Sequence, residues 1–234
     1  MPQYGLSGTI WLHGGRLIEP FELRLSTGWS GLLGPSGSGK STLLRLIGGL
    51  QCEARLEGCR KGAERIGWMA QSDLMQPRLS VLQNVMLIER LAGRKADPER
   101  ARALLASVGL SGYEKKKPDA LSGGQRQRVA LARTLMSDAD LILLDEPFSA
   151  LDPATRATMQ ELAFEHFAGR TVLLVTHDPA EALRLCQSLW LLKAGRLHEV
   201  AALPGQTVSK PHALDDPALA EQAALLLNDI RMNA

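Results

Sequence analysis

The sequence has few cysteines, and they are not arranged for disulfide or metal chemistry. Its three cysteines are Cys52, Cys59 and Cys186, an odd number with no C-x-x-C pair. Disulfide frameworks and zinc sites both need paired cysteines at characteristic spacings. The pattern therefore predicts reduced thiols in a cytoplasmic protein.

Long apolar runs and a large net charge are also missing. The longest uninterrupted apolar stretches, such as 141–144 and 172–175, are far shorter than the roughly 20 residues that cross a bilayer. The N-terminus shows no basic segment followed by an apolar one, so no signal peptide is expected. A net charge of +2 over 234 residues gives no electrostatic case for nucleic acid or an anionic membrane surface. If the protein works at a membrane, another chain must bring it there.

One stretch carries a recognisable phosphate-binding pattern. Residues 34–42 read GPSGSGKST and fit G-x-x-x-x-G-K-[S/T]. In such a loop successive backbone N–H groups surround phosphate oxygens, and glycines let the backbone come close. Lys40 is expected to reach the β- and γ-phosphates, and the Ser41 hydroxyl to coordinate Mg²⁺. The residues predicted to contact phosphate are Gly34, Pro35, Ser36, Gly37, Ser38, Gly39, Lys40, Ser41 and Thr42.

The order of apolar patterns predicts an α/β layered core. The runs 141–144 and 171–175 are fully apolar or nearly so, as in buried parallel strands, and helical patterns alternate with them. Ligands of such sheets lie beyond the carboxyl ends of the strands. The residues that fall just after a predicted strand, and so are expected to share one edge of the sheet, are Gly34, Asp145, Glu146 and His177.

Other segments give coarser expectations. Residues 51–64 are polar and punctuated by glycine, which predicts a turn or a short hairpin. Residues 81–108 have a helical pattern that is broken at Asp97 and Pro98, where Asp97 is a plausible N-cap. Residues 216–232 are predicted to form a surface helix.

Two adjacent carboxylates follow the run 141–144. Mg²⁺ favours oxygen ligands and keeps some of its waters, so Asp145 is expected to act on the ion directly or through water. Glu146 is then placed to polarise or deprotonate the attacking water. The alternative is that both carboxylates simply cap a strand at a turn.

The discriminating feature is a second glycine motif, LSGGQ at 121–125, continued as RQRVALAR. Here the sequence resembles the ATP-binding cassette (ABC) ATPases, and the resemblance covers nearly all of the chain to about residue 205. LSGGQ is that family's signature. A serine and glycine N–H groups at a helix start can form a second phosphate-binding surface, although an N-capped helix with a flexible start would look the same. The signature residues expected to contact nucleotide are Ser122, Gly123, Gly124 and Gln125.

The resemblance implies a fold and a division of the chain. The implied fold is a P-loop NTPase (RecA-like) core with an antiparallel β subdomain and an inserted helical subdomain that carries the signature. A single ABC ATPase domain is expected over 1–205, with its core at about 1–80 and 135–205 and its helical subdomain at about 81–134. Residues 206–234 are expected to form a short helical tail.

The resemblance also gives roles to isolated polar residues. Gln71 matches the family's Q-loop glutamine, which approaches Mg²⁺ and the attacking water and begins the segment that senses the membrane partner; otherwise it is an ordinary surface residue. Asp152 matches the end of the D-loop, which communicates across the dimer, although a position before Pro153 also suits an N-cap. His177 matches the switch histidine that contacts the γ-phosphate, although isolated histidines are more often structural.

One position departs from the family pattern. The family usually has an aromatic residue, often tyrosine, that stacks on adenine at the end of the first strand, and His13 occupies that slot here. Imidazole offers less π surface than tyrosine. Trp11, two residues earlier on the same predicted strand face, could serve instead, and either side chain could merely pack on the core.

The function implied is that of the ATP-binding and ATP-hydrolysing subunit of a transporter. Two copies would form a head-to-tail homodimer, with ATP and Mg²⁺ as cofactors, at the cytoplasmic face of the inner membrane. Separate transmembrane permease subunits and a periplasmic or lipid-anchored solute-binding protein would be its partners in importing a small solute, and no nucleic acid partner is expected. Within the family the chain looks most similar to importers of the nitrate/sulfonate/taurine and thiamine/hydroxymethylpyrimidine branch.

Other functions fit less well. An exporter ATPase or a non-transport ABC ATPase would share the motifs, although non-transport members usually carry long coiled coils or tandem cassettes. A small-molecule kinase would explain the phosphate loop but not LSGGQ. A nucleotide-binding regulator without catalysis would not need Glu146 and His177.

Overall fold

The computed structural model describes residues 4–203 and 211–231. The strands are β1 Tyr4–Leu12, β2 Gly15–Leu25, β3 Gly28–Leu33, β4 Arg55–Lys61, β5 Ile66–Met69, β6 Leu141–Asp145, β7 Thr171–Val175, β8 Ser188–Lys193 and β9 Arg196–Val200. The helices are α1 Lys40–Ile47, α2 Val81–Val85, α3 Leu87–Leu91, α4 Pro98–Ser107, α5 Gly123–Leu135, α6 Pro153–His166, α7 Pro179–Leu185 and α8 Pro217–Arg231.

The chain divides into two compact units. The first comprises Met1–Ile66, Asp140–Glu146 and Ala168–Ala234, and the second comprises Gly67–Ala139 and Pro147–Phe167. The predicted boundaries of core, helical subdomain and tail stay a prediction. Residues 204–205 at the end of the predicted domain, and residues 206–210 and 232–234 of the predicted tail, lie outside the described residues.

The first unit is built on a largely parallel sheet. Strand β7 pairs in parallel with both β3 and β6, β8 adds to β3 in parallel, and β9 closes an antiparallel hairpin with β8. Every residue of β3, β6 and β7 is buried, which explains their apolar sequences because such strands are covered on both faces. The predicted buried strands over 141–144 and 171–175 are thus confirmed, and the first extends by one residue to Asp145.

A second sheet of the first unit is antiparallel, with the order β2-β1-β4. The prediction of a turn or hairpin over 51–64 is wrong, because β4 pairs with β1 from Trp11–Arg55 to Gly5–Lys61. The segment R-L-E-G-C-R-K is almost wholly exposed. An edge strand with two solvated faces has no apolar period from which it could be recognised.

The second unit contains five helices among the described residues, α2 to α6. The helical pattern over 81–108 becomes α2, α3 and α4, and the break falls where predicted. Asp97 caps α4, since its carboxylate accepts the N–H of Glu99 at 2.9 Å. Helix α5 is the central element, because all its residues from Val129 to Leu135 are buried.

The end of the described chain is helical. Helix α8 matches the helix predicted over 216–232 in its described part and packs on α7. Within residues 4–203 and 211–231 we find no helix with the length and apolar character needed to span a bilayer.

Candidate nucleotide site

The phosphate loop leaves β3 through a glycine that no other residue can replace without strain. Gly34 has φ +152°, and a Cβ there would fall about 0.8 Å inside the 3.0 Å that real Cβ contacts keep, against the carbonyl oxygen of Leu192. Gly39, at φ +102°, turns the backbone into α1, which begins at Lys40. The loop thus ends at the N-terminus of a helix, where free N–H groups and the helix dipole favour an anion.

The side chain of Lys40 is hydrogen-bonded to the backbone of this loop. Its ammonium donates to the carbonyl oxygens of Gly34 and Pro35, both at 2.8 Å, and only 7% of the residue is exposed. Burial lowers the pKa of Lys40 from its usual value, and the carboxylates of Glu146 and Asp145 oppose that shift. A cation is therefore held beside the loop, and two nearby carboxylates favour its protonated form.

Ser41 and Asp145 meet at the end of β6. The Ser41 hydroxyl donates to Asp145 Oδ1 at 3.2 Å, and Asp145 is 5% exposed. Burial is the main cause that raises the pKa of Asp145, the Ser41 hydrogen bond opposes it, and the neighbouring Glu146 charge adds to it. Octahedral Mg²⁺ holds oxygens at about 2.1 Å, so adjacent ligands stand about 3 Å apart. The pair fits two neighbouring corners of such an ion, whose charge would also offset the cost of the buried carboxylate.

A further hydroxyl of the loop fits a phosphate. Ser38 Oγ is buried and has no hydrogen-bond partner in the described part of the chain. Buried hydroxyls are normally satisfied, so a phosphate oxygen at this loop would supply the missing acceptor.

Glu146 and His177 come together beyond β6 and β7. Glu146 has φ +50°, an unusual conformation for a non-glycine residue, and its N–H continues the ladder to Val175 O at 2.9 Å. His177 Nδ1 lies 3.2 Å from Glu146 Oε1. Strained backbone of this kind is concentrated at functional sites. The prediction that Gly34, Asp145, Glu146 and His177 share one edge of the sheet is therefore met by the geometry.

The signature lies in the second unit as an exposed, capped helix start. Ser122 Oγ accepts the N–H of Gln125 at 3.2 Å while Gln125 Oε1 accepts the N–H of Ser122 at 2.9 Å, a reciprocal capping box. Ser122 and Gly123 are exposed, and a Cβ on Gly123 would meet nothing within 4 Å. The helix start is capped and open to solvent, so it can accept an external anion.

The D-loop, residues 149–152, packs against the same helix. A Cβ on Gly124 would lie 3.2 Å from Ala150 O, so the backbones approach closely. Asp152 is the N-cap of α6, where its carboxylate accepts the N–H of Thr155 at 3.0 Å, and that bond lowers the pKa of Asp152. The capping role predicted as an alternative is therefore present, and a role towards nucleotide stays a prediction.

Two further predicted residues, Gln71 and His13, lie outside the helices and strands. Gln71 is exposed at the bend after β5, in the second unit. His13 lies in the turn after β1 with φ +51°, and its Nε2 is 3.2 Å from Glu53 Oε2. It is thus not on a strand face shared with Trp11, whose indole N–H donates to Glu57 at 2.8 Å. The expectation of a shared face is wrong because the strand ends at Leu12.

Sequence reasoning missed a residue beside the loop. A methyl carbon of Leu17 lies 3.2 Å from the position of a Cβ on Gly39. Leu17 therefore forms an apolar wall next to the helix start. Its sequence context, R-L-I-E, is that of any half-buried strand and offered no signal.

The first unit thus contains a phosphate loop with a lysine, a serine–aspartate pair spaced to bind one Mg²⁺ ion, and a glutamate next to a histidine. Together with the parallel sheet, these features define a P-loop nucleoside triphosphatase.

Comparison with known proteins identifies the branch. The family model "ABC transporter" matches residues 19–149, more than half of the chain. An uncharacterised ABC transporter ATP-binding protein of Haemophilus influenzae is 48% identical over 194 residues, 81% of each chain. The aliphatic sulfonates import ATP-binding protein SsuB of Delftia acidovorans is 39% identical over 227 residues, 95% of this chain and 91% of that protein.

A solved structure gives the same assignment. The ATP-binding cassette MJ0796, a dimer bound to ADP and Pi, matches with a TM-score of 0.72 and 28% identity over 86% of this chain and 99% of that one. The chain therefore belongs to the ABC transporter family. It is an ATP-binding, ATP-hydrolysing subunit of the import type, on the branch that contains the sulfonate importers.

Proposed function

We propose that two copies of this chain bind two ATP molecules between them, head to tail. Each ATP contacts residues 34–42 of one copy and 121–125 of the other. The observation that carries the proposal is the signature turn: Ser122 and Gly123 form a capped helix start that is open to solvent, as a second phosphate-binding surface must be before closure. The dimeric state of MJ0796 supports the arrangement.

Within each site we assign chemistry by position. Ser41 and Asp145 hold Mg²⁺, which supplies charge neutralisation at the phosphates. Lys40 stabilises charge on the γ-phosphoryl group, which Thr42 and the loop N–H groups help to hold. Glu146 polarises the attacking water as a general base.

His177 steadies the γ-phosphate from the next strand. Its 3.2 Å contact with Glu146 keeps the imidazole beside the base, and 59% of its side chain is exposed, which leaves it accessible to nucleotide. Gln71 completes the Mg²⁺ and water contacts, and Asp152 and Gln125 stand at the dimer face.

The partners we propose are transmembrane permease subunits and a solute-binding protein. The second unit exposes apolar side chains at Leu74 (51%), Ile88 (40%) and Leu91 (75%), and exposed apolar groups of this kind often mark an interaction site. The chain would then be peripheral at the cytoplasmic face of the membrane. The sulfonate importers among its relatives make organic sulfonates the first cargo to test.

The dimer is tested with a variant that binds ATP without turning it over. In Glu146→Gln, ATP with Mg²⁺ should shift the sedimentation coefficient from monomer to dimer. Adding Lys40→Ala should abolish both ATP binding and the shift. A Glu146→Gln protein that binds ATP yet stays monomeric at every concentration would contradict the sandwich.

A further inference from the structure

The loop that follows Gln71 is held in an unfavourable shape. Leu74 has φ +46° although it is not a glycine, and the residue is 51% exposed. The left-handed conformation costs about 1–2 kcal/mol for such a residue. Other contacts within the second unit must therefore fix the loop, which we call the glutamine loop (71–80).

Asn84 and Lys117 contact the second half of this loop, and two arginines of α5 contact its first half. Arg133, 6% exposed, donates to Leu74 O at 3.1 Å and to Asp73 O at 2.6 Å. Arg126 donates through Nε to Asp73 Oδ2 at 3.0 Å. The other carboxylate oxygen of Asp73 accepts the N–H of Met75 at 3.0 Å, so both oxygens are used.

Arg126 has a second partner at the signature. Its Nη1 donates to Leu121 O at 2.8 Å, the carbonyl that immediately precedes the N-cap Ser122. One planar guanidinium therefore joins the carboxylate of the glutamine loop to the peptide group that enters the signature turn. A lysine has a single ammonium on a flexible stem and cannot make both contacts in a fixed geometry.

The next residue holds the D-loop in the same way. Gln127, 7% exposed, accepts the N–H of Ala150 at 2.9 Å and donates to Ser149 Oγ at 3.4 Å. The first turns of α5 thus carry the signature and also contact both neighbouring loops.

We propose that Arg126 is a positioning residue that, through Asp73, sets the signature turn in the geometry needed for ATP-driven dimerisation. The inference rests on the proposed sandwich. A partner that binds near Leu74 would then alter the geometry of the signature turn, because Arg126 is hydrogen-bonded both to Asp73 and to Leu121.

The effect of breaking the connection should be moderate. Arg126 and Asp73 have side chains 36% and 33% exposed, and half-exposed ion pairs contribute little by themselves. We expect a larger loss of dimer affinity because the signature turn is no longer held by Arg126. We expect Arg126→Gln to weaken ATP-driven dimerisation by roughly tenfold, corresponding to about 1.4 kcal/mol, without changing the affinity of the monomer for ATP.

The experiment is a double-mutant cycle in the Glu146→Gln background. Asp73→Asn keeps the oxygen that binds Met75 but places an amide N–H₂ opposite Arg126. The dimer dissociation constant at saturating Mg-ATP is measured by sedimentation for each single variant and for the pair. Arg128→Gln is the matched control, because Arg128 lies on the same helix and donates to Val108 O and Gly109 O instead.

The expected result is that Asp73→Asn weakens the dimer about threefold and that the double variant is no weaker than Arg126→Gln alone, since coupled residues are not additive. Arg128→Gln should stay within about twofold of the parent. Should Arg126→Gln melt at a markedly lower temperature, Arg126→Lys provides the second variant, with an intermediate loss of about threefold because one contact survives.

Three results would each overturn the assignment of Arg126. The first is additive losses of dimer affinity in the double variant, the second is no loss in Arg126→Gln and Arg126→Lys, and the third is an equal loss in Arg128→Gln. A Glu146→Gln parent that binds ATP without dimerising would instead overturn the proposed sandwich. The two failures are therefore distinguishable.

Discussion

Two glycines of the phosphate loop should respond differently to the same substitution. Gly34→Ala places a methyl group about 0.8 Å too close to Leu192 O, and that carbonyl cannot retreat because Leu192 pairs with Leu197 in the β8–β9 hairpin. Gly37, at φ +79°, has nothing within 4 Å of the position that an alanine methyl group would occupy. Its substitution therefore adds backbone strain alone.

The magnitudes follow from these two cases. Gly37→Ala should destabilise the protein by about 1–2 kcal/mol, the cost of a left-handed alanine. Gly34→Ala adds an overpacking cost of about 1–3 kcal/mol to a similar strain, so we expect about 2–5 kcal/mol in total. Because the clash displaces the loop N–H groups that are expected to hold the phosphates, ATP affinity should also fall sharply in Gly34→Ala.

The assay is urea unfolding without nucleotide, followed by calorimetric titration with Mg-ATP. Measuring stability first separates steric cost from any contact with the nucleotide. Equal losses of stability in Gly34→Ala and Gly37→Ala would refute the close approach of the loop to β8, as would wild-type ATP affinity in Gly34→Ala.

Three further predictions concern the chemistry of the site. Glu146→Gln should lower the rate of phosphate release by a factor of about 100 to 10,000, as loss of a general base does, with ATP binding retained; near-normal turnover would remove Glu146 from that role. The folded-state pKa of Asp145 is raised above 3.8, so its contribution to stability is complete below that pH and is lost as the pH rises through the folded-state value. Asp145→Asn should therefore raise the melting temperature at pH 7, with a gain that shrinks towards pH 4, whereas a constant gain would contradict the shift. His13→Tyr should tighten ATP binding by about 0.5–1.5 kcal/mol through added ring surface, while Trp11→Phe should change ATP affinity little because the Trp11 indole binds Glu57. A larger change of ATP affinity in Trp11→Phe than in His13→Tyr, measured by titration, would make Trp11 the adenine contact.

The phosphate side of the site could be predicted because its residues follow directly from strands that the sequence makes obvious. Asp145 and Glu146 end a fully apolar run, and the parallel register of β3, β7 and β6 brings their carboxyl ends to one edge. Local pattern and sheet geometry together suffice for such residues.

Contacts between distant segments could not be predicted in this way. Asp73 and Arg126 are 53 positions apart. No sequence pattern indicates which residue a single aspartate in a loop will contact. Strand β4 was missed because its exposed residues lack an apolar period, and the turn at His13 because the end of β1 depends on pairing with β2 and β4.

The central claim is that each ATP site is shared by two copies, and a mixing experiment tests it most directly. Lys40→Ala disables one half of the site and Ser122→Arg the other, so neither protein alone has an intact site. In a mixed dimer one site carries both defects and the other carries none. A shared site predicts that mixing the two inactive proteins restores ATP hydrolysis; a mixture no more active than its separate components would contradict it.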